Sequence, residues 1–173
     1  MSLRVIAGRA KGRRLRDVPG DTTRPVTDKV KQALFNIIST DVFESSWWDV
    51  FGGTGAVGIE ALSRGAAYVR FSELHRVPVE IIKSNLLTCG FSNQADVIKT
   101  DAFSFMSASP DRKFDYIYIA PPQYHGLWKE ALHTLDTNIG WLESDAWVIT
   151  QIHPIEDVEL QLTNMKRFDE RKY

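Results

Sequence analysis

The sequence predicts an α/β domain built around a mainly parallel sheet, and three observations carry that expectation. From residue 47 onward, short apolar runs alternate with stretches of helical periodicity, the pattern of βαβ units. A G-x-G-x-x-G run, formed by Gly53, Gly55 and Gly58, directly follows the first such strand and opens the helix after it. The chain has 173 residues, 43% apolar and 25% charged, enough for one domain with a sizeable core. That composition excludes a disordered tail, a collagen-like fibre and a disulfide scaffold.

The elements follow in order. Residues 4–7 are β-prone, a turn lies between Gly8 and Gly12, and residues 13–18 can pair back, so the chain opens with a basic β-hairpin. Pro19, Gly20 and Pro25 break the chain before a helical period of Val26, Val30, Ala33, Leu34, Ile37 and Ile38, with Thr27 as N-cap. This face is expected to be buried. Strands are expected over 47–51, 68–72, 95–98, 116–119 and 147–152. Between them lie helices over about 56–64, stopped by Gly65, and 77–88, with Pro78 in its first turn and Gly90 as stop. A further helix is expected over 127–135. Trp47 and Trp48 should pack the two faces of the first strand, and Trp128, Trp141 and Trp147 read as core.

Composition narrows the function classes. The single cysteine, Cys89, cannot form an internal disulfide or a cysteine-rich zinc site and reads as a small core residue, which fits a reducing cytoplasm. The four histidines, His75, His125, His133 and His153, show no ligand spacing, so no metal is expected. No uncharged apolar run approaches the ~18 to 20 residues that span a bilayer, and the first twenty residues lack an apolar signal core. A soluble cytoplasmic protein without a membrane partner is expected. The net charge of -1 conceals an asymmetry: residues 1–31 hold nine Lys/Arg and three Asp, a charge of +6, against -7 for the remainder. Arg4, Arg9, Lys11, Arg13, Arg14 and Arg16 come without an intervening acid. Such a stretch is either a polyanion-binding arm or a solvated basic edge. Residues 1–22 are taken as the arm and residues 23–173 as the body.

The candidate chemistry gathers at strand ends. Glycines after a strand let a ligand approach backbone N–H groups, and Glu73, at the end of the next strand, can accept hydrogen bonds from a ribose diol. A nucleoside-bearing cofactor is implied. Asp49, four residues before Gly53, places a carboxylate where a ligand ammonium can be held. Asp101, with Ala102 and Phe103, either accepts from an adenine amine or caps a helix. Ala120, Pro121, Pro122, Gln123 and Tyr124 follow the fourth strand, at the same carboxyl edge of the sheet.

The order D-V-F-G-G-T-G-A-V-G-I-E-A-L-S-R-G-A, then F-S-E, T-D-A and A-P-P-Q-Y, resembles the class I S-adenosylmethionine-dependent methyltransferases. The opening R-V-I-A-G-R-A-K-G-R-R-L and the later T-R-P-V-T-D-K-V-K-Q-A-L-F-N-I-I narrow the resemblance to the bacterial RsmD-type enzymes, which methylate the exocyclic amine (N2) of a guanine in small-subunit (16S) ribosomal RNA. The resemblance implies a Rossmann-like three-layer sandwich and S-adenosylmethionine as cofactor. It places Gly53, Thr54 and Gly55 at the methionine part, Asp49 at the ammonium, Glu73 at the ribose and Asp101 with Ala102 at the adenine. The loop from Ala120 to Tyr124 would receive the base. Arg9, Lys11, Arg13, Arg14 and Arg24 would hold RNA, free or in an assembling 30S particle, with the protein acting as a monomer. The family's sheet has a sixth strand, for which residues 165–173 are the candidate, and an antiparallel seventh, which is expected to be missing.

One departure bears on catalysis. Where amine methyltransferases open the motif with Asp or Asn, this chain has Ala120, and Gln123 precedes the aromatic residue. A methyl group accepts no hydrogen bond. Backbone carbonyls at Ala120 and Pro121 assisted by the Gln123 amide can serve instead, or the site is weak. Tyr124 is either a stacking platform for a base or a residue packed under the next helix. A non-catalytic RNA-binding protein and an NAD-dependent oxidoreductase stand as alternatives.

Overall fold

The computed structural model describes residues 2–20 and 25–173. Arg24 and the boundary expected between residues 22 and 23 lie outside the described residues. Five strands, Ser46–Asp49 (β1), Tyr68–Glu73 (β2), Ala95–Lys99 (β3), Phe114–Ile119 (β4) and Leu142–Thr150 (β5), form one sheet in the order β3-β2-β1-β4-β5. Every pairing is parallel, so all five carboxyl ends meet at one edge. The helices are Asp28–Ile38 (α1), Ala56–Ser63 (α2), Arg76–Cys89 (α3), Ala102–Ser107 (α4) and Leu127–Thr137 (α5). No described helix is long and apolar enough to cross a membrane.

Alternation along β1 divides the core into two apolar layers. Trp47 packs with Phe35, Val57, Leu62, Ile82 and Leu86 on the face covered by α1, α2 and α3. Trp48 packs with Met106, Phe114, Leu135 and Trp141 on the face covered by α4 and α5. The result is the parallel α/β arrangement that the alternating pattern predicts, in the three layers that the resemblance implies. Both indoles are fully buried, and their N–H groups donate to Ser45 Oγ at 2.8 Å and Ser72 Oγ at 3.0 Å. Trp128 and Trp141 are buried as expected, and Trp147 stands partly buried against Tyr116 and Phe168.

The buried face of α1 differs from the one expected. Thr27 caps the helix, accepting from Val30 N–H at 3.3 Å, but the buried residues are Lys31, Phe35 and Ile38, while Ile37 is 38% exposed. Lys31 is drawn in because its ammonium donates to Arg4 O at 2.6 Å and lies 3.7 Å from the Glu60 carboxylate. Burial pushes the Lys31 ammonium down, and the Glu60 charge opposes that shift.

Glu60, also fully buried, organises the hairpin. Its oxygens accept Ile6 N–H at 2.9 Å, Ala7 N–H at 3.1 Å and Arg64 Nε at 2.9 Å. The hairpin itself is a single antiparallel bridge between Arg4 and Arg14, with Val5 N–H bonded to Arg13 O at 3.0 Å. Its apolar side chains Val5, Ala10 and Leu15 join the core of the body. Gly8, at φ +83°, runs so close to α2 that a Cβ there would lie 1.8 Å from Ser63 O. Only glycine fits.

Two further differences concern short elements. Helix α4 follows Asp101, and six residues are too few to show a helical period. The sixth strand expected over 165–173 is absent among the described residues. Asp136 holds the approach to it, accepting the N–H groups of Thr163 at 2.7 Å, Asn164 at 2.8 Å and Met165 at 3.0 Å. Donors committed to one carboxylate are withheld from a ladder.

Replacing Glu60 with Ala removes the charge partner of the buried Lys31 ammonium and the acceptor of two amides, and should lower the unfolding free energy by about 3 to 5 kcal/mol. Urea denaturation measures this. A loss under about 1 kcal/mol would show that the buried cluster does not hold the hairpin.

Candidate functional site

The site grows from the carboxyl edge of the sheet. β1 ends on Asp49, whose Cα partners are Phe71 on β2 and Tyr118 on β4. Parallel pairing on both sides buries Asp49 to 2% exposure, and its Oδ1 has no hydrogen-bond partner among the described residues. Burial drives this carboxyl well above the usual carboxylate range; the Gly58 N–H opposes the shift and the Glu73 charge adds to it. Neighbouring Tyr118 is pushed up as well, by burial and then by Asp49. Tyr118 donates its hydroxyl hydrogen to Gln151 Oε1.

The glycine run curls over this edge. Gly53 and Gly55 hold φ of +55° and +79°, a region closed to most side chains, and Gly55 leads into α2. Gly58 has a different task, since a Cβ there would lie 2.4 Å from the Phe71 ring. It lets α2 pack on β2. Glu73 holds the run from the next strand: Oε2 accepts Gly53 N–H at 3.0 Å, while Oε1 accepts Leu74 N–H at 3.0 Å and His75 N–H at 3.2 Å. Four lone-pair sites serve three donors, which leaves capacity for a hydroxyl. Asp101 caps α4 through Ser104 N–H at 2.9 Å, the structural role expected as its alternative, and Phe103 meets Phe51 edge-on at 5.9 Å. Thr54 and Ala102 are both buried at this edge.

The loop from Ala120 to Tyr124 lies at the same edge, after β4. Pro121 is buried and Ala120 and Gln123 are half-buried, whereas Pro122 and Tyr124 are exposed. Tyr124 is 62% exposed at φ +68°, so it is not packed under α5. Its N–H donates to Glu156 Oε1 at 2.8 Å and its ring centroid lies 5.6 Å from that of His153.

The basic hairpin connects to this edge through Asn85, a buried residue of α3. Asn85 Oδ1 accepts Arg16 N–H at 2.7 Å, and its Nδ2 donates to Arg16 O at 3.0 Å and to Thr54 O at 2.9 Å. One side chain therefore ties the hairpin to the glycine run. Lys11, Arg13 and Arg14 are exposed. Arg9 is also exposed but lies over Phe91 at 5.1 Å and bonds Gln94 at 3.1 Å. At the opposite edge of the sheet Asp41, Glu44, Asp115, Glu143 and Asp145 line a surface hollow of about 490 Å³. Those acids repel a polyanion, which leaves the basic side as its approach.

Sequence reasoning missed Glu60, Asn85 and Glu156. Each acts through a partner remote in the chain, so no local motif marks it. Cys89 is half-buried, and burial pushes its thiol up, as befits an inert packing residue.

The family profile described as conserved hypothetical protein 95 matches residues 3–173. The chain belongs to this family, the RsmD-type proteins. Ribosomal RNA small subunit methyltransferase D of Haemophilus influenzae is 34% identical over 151 residues, covering 86% of this chain and 78% of its own length. The protein of the same name from Escherichia coli is 35% identical over 151 residues, covering 86% and 74%. The solved structure of yhhF from Escherichia coli superposes with a TM-score of 0.76 at 33% identity, covering 86% of this chain and 79% of that one. The family's sandwich is thus the fold seen here.

The orphaned oxygen of Asp49 fits a cationic ligand group. Because its carboxyl is raised in the fold, the folded protein retains a proton that the unfolded chain releases, and stability falls as pH climbs above about 4. Asp49→Asn should therefore raise the melting temperature at neutral pH and flatten its decline with rising pH. The same change should weaken S-adenosylhomocysteine binding about 10- to 100-fold by calorimetry, the worth of a hydrogen bond to a charged group. Unchanged affinity would remove Asp49 from the ligand site. Asn85→Ala should lower both thermal stability and S-adenosylhomocysteine affinity, because Thr54 and Arg16 lose their shared anchor. Loss of stability alone would uncouple hairpin from site.

Proposed function

We propose that this chain transfers a methyl group from S-adenosylmethionine to the exocyclic N2 amine of a guanine in small-subunit (16S) ribosomal RNA. The observation that carries the reading is the buried, unpartnered oxygen of Asp49 beside the glycine run. It calls for a cationic group, and S-adenosylmethionine carries an ammonium at its methionine end. A pyrophosphate brought to Gly53 and Gly55 would find no cation at that carboxyl and would make its ionisation costlier still, which disfavours the NAD-dependent oxidoreductase reading. The small-subunit rRNA methyltransferases among its relatives support the RNA substrate.

Bound S-adenosylmethionine supplies a methyl group already activated on a sulfonium centre. The residues of the chain then hold and orient. Asp49 faces the ammonium, Gly53, Thr54 and Gly55 line the methionine part, and Glu73 takes the ribose hydroxyls with its spare acceptor capacity. Asp101 and Ala102, with Phe103, border the adenine. Pro121 and Pro122 shape the loop that takes the target base, with Tyr124 as its exposed stacking face. Lys11, Arg13 and Arg14 hold phosphates, with Arg9 beside them and Arg24 as a further contact. Bringing the amine to roughly 3 to 3.5 Å of the methyl carbon, in line with its bond to sulfur, accounts for much of the acceleration. No metal is required. The substrate is the rRNA or an assembling 30S particle in the cytoplasm, and the protein acts as a monomer.

Labelled methyl from S-adenosylmethionine should appear in small-subunit rRNA, on the guanine amine. A folded protein that binds S-adenosylhomocysteine yet transfers nothing to RNA or to the subunit would instead favour the non-catalytic RNA-binding reading. Arg13→Ala combined with Arg14→Ala should weaken RNA binding and reduce the slope of log K against log salt by about 1.4 to 1.8, two contacts at about 0.7 to 0.9 each. An unchanged slope would take both arginines out of the interface.

A further inference from the structure

The loop assigned above to the target base opens on Ala120, whose methyl group accepts no hydrogen bond. A carboxylate reaches it from the neighbouring strand. β4 and β5 pair in parallel through Ile119 and Thr150, and Gln151 N–H extends the pairing to Ile119 O at 2.9 Å. The chain after β5 therefore leaves the sheet beside the chain after β4. A 3-10 turn at Pro154–Glu156 follows, closed by Glu156 N–H to His153 O at 2.9 Å, and it brings the Glu156 side chain to the loop. Glu156 Oε1 accepts Tyr124 N–H at 2.8 Å and helps hold Tyr124 at φ +68°, a conformation non-glycine residues rarely adopt. Glu156 Oε2 is buried and has no partner among the described residues. A carboxylate oxygen kept from water without a donor is costly, and a donor carried in by a ligand removes that cost.

We propose that Glu156 is the carboxylate of the target pocket: Oε1 fixes the loop through Tyr124, and Oε2 accepts an N–H of the amine to be methylated. This rests on the guanine-amine reading above. The lone pair of that amine is delocalised into the base, and an acceptor on its N–H favours the pyramidal, more nucleophilic nitrogen. As the nitrogen lone pair forms the bond to the methyl carbon, the carbon–sulfur bond breaks with its electron pair left on sulfur. The amine then sheds one proton to Oε2, which releases it to water after the methylated base has left. The acid missing at position 120 is thus supplied by a residue that follows a different strand.

Glu156→Gln tests this. The amide keeps the size of the side chain and an oxygen for Tyr124 N–H, but turns an NH2 donor toward the amine. The expected result is a loss of ~100-fold in kcat, with KM for RNA and S-adenosylhomocysteine affinity unchanged. The melting temperature of the free protein should not fall, since an unpaired buried charge is removed. Ala120→Asp in the Glu156→Gln background should recover part of the lost kcat by returning a carboxylate from the loop itself. Wild-type kcat in Glu156→Gln, or a kcat loss that Ala120→Asp leaves untouched, would overturn the assignment while the proposed function stands. A wild-type protein that binds S-adenosylhomocysteine but methylates no RNA would overturn both.

Discussion

The Glu60 carboxylate, buried in α2, is the interaction around which the N-terminal hairpin is folded. It gathers two backbone amides, the Lys31 ammonium and the Arg64 guanidinium, while Arg64 lies 4.8 Å over the Phe35 ring. A two-stranded hairpin is marginal by itself, and this one has a single bridge of its own among the described residues. Its order is borrowed from the body. Burying charge is expensive, so the cluster contributes registry more than net stability: only one placement of Ile6, Ala7 and Lys31 satisfies every partner. From that anchor the chain continues to Arg16, where Asn85 hands the same order on to Thr54 and the glycine run.

The placement of unsatisfied atoms separates scaffold from site. Among the described residues, Arg64 Nη2 and Arg70 Nε are unpartnered but belong to guanidiniums already paired with Glu60 and Asp111. The two unpartnered carboxylate oxygens, on Asp49 at the end of β1 and on Glu156 after β5, belong to the carboxyl side of strands that flank β4. An acid with no cation beside it lowers the stability of the free protein. In the proposed site, a ligand that brings a donor to each oxygen removes that cost and turns lost stability into affinity.

The sheet supplies the rigidity this needs. Asp49 can be held unpaired because β1 is flanked by β2 and β4 and covered on both faces, by Trp47 with α1 to α3 and by Trp48 with α4 and α5. Loops at the edge are tied by carboxylates in turn: Glu73 takes Gly53, Asp101 caps α4, and Glu156 takes Tyr124.

The alternation of apolar runs with helical stretches, the glycine spacing and the carboxylates at strand ends were legible because each is a local pattern with a local physical cause. Five strands and the four longer helices came from that pattern, as did the position of Asp49, Glu73 and the loop from Ala120 to Tyr124 at one edge. The buried face of α1 was not legible, because a lysine is drawn inside by the Arg4 carbonyl of the hairpin and by a glutamate 29 residues later in the chain. Neither was the end of the chain, where Asp136 captures the amides of Thr163, Asn164 and Met165 at the start of the segment expected as a strand. By itself the sequence determined the sandwich and the class of ligand it accommodates. The tertiary structure decided which charges are paired, how the basic hairpin reaches the glycine run, and that Glu156 stands over a loop lacking its own acid. Periodicity is a property of neighbours along the chain, whereas pairing of buried charge depends on neighbours in space.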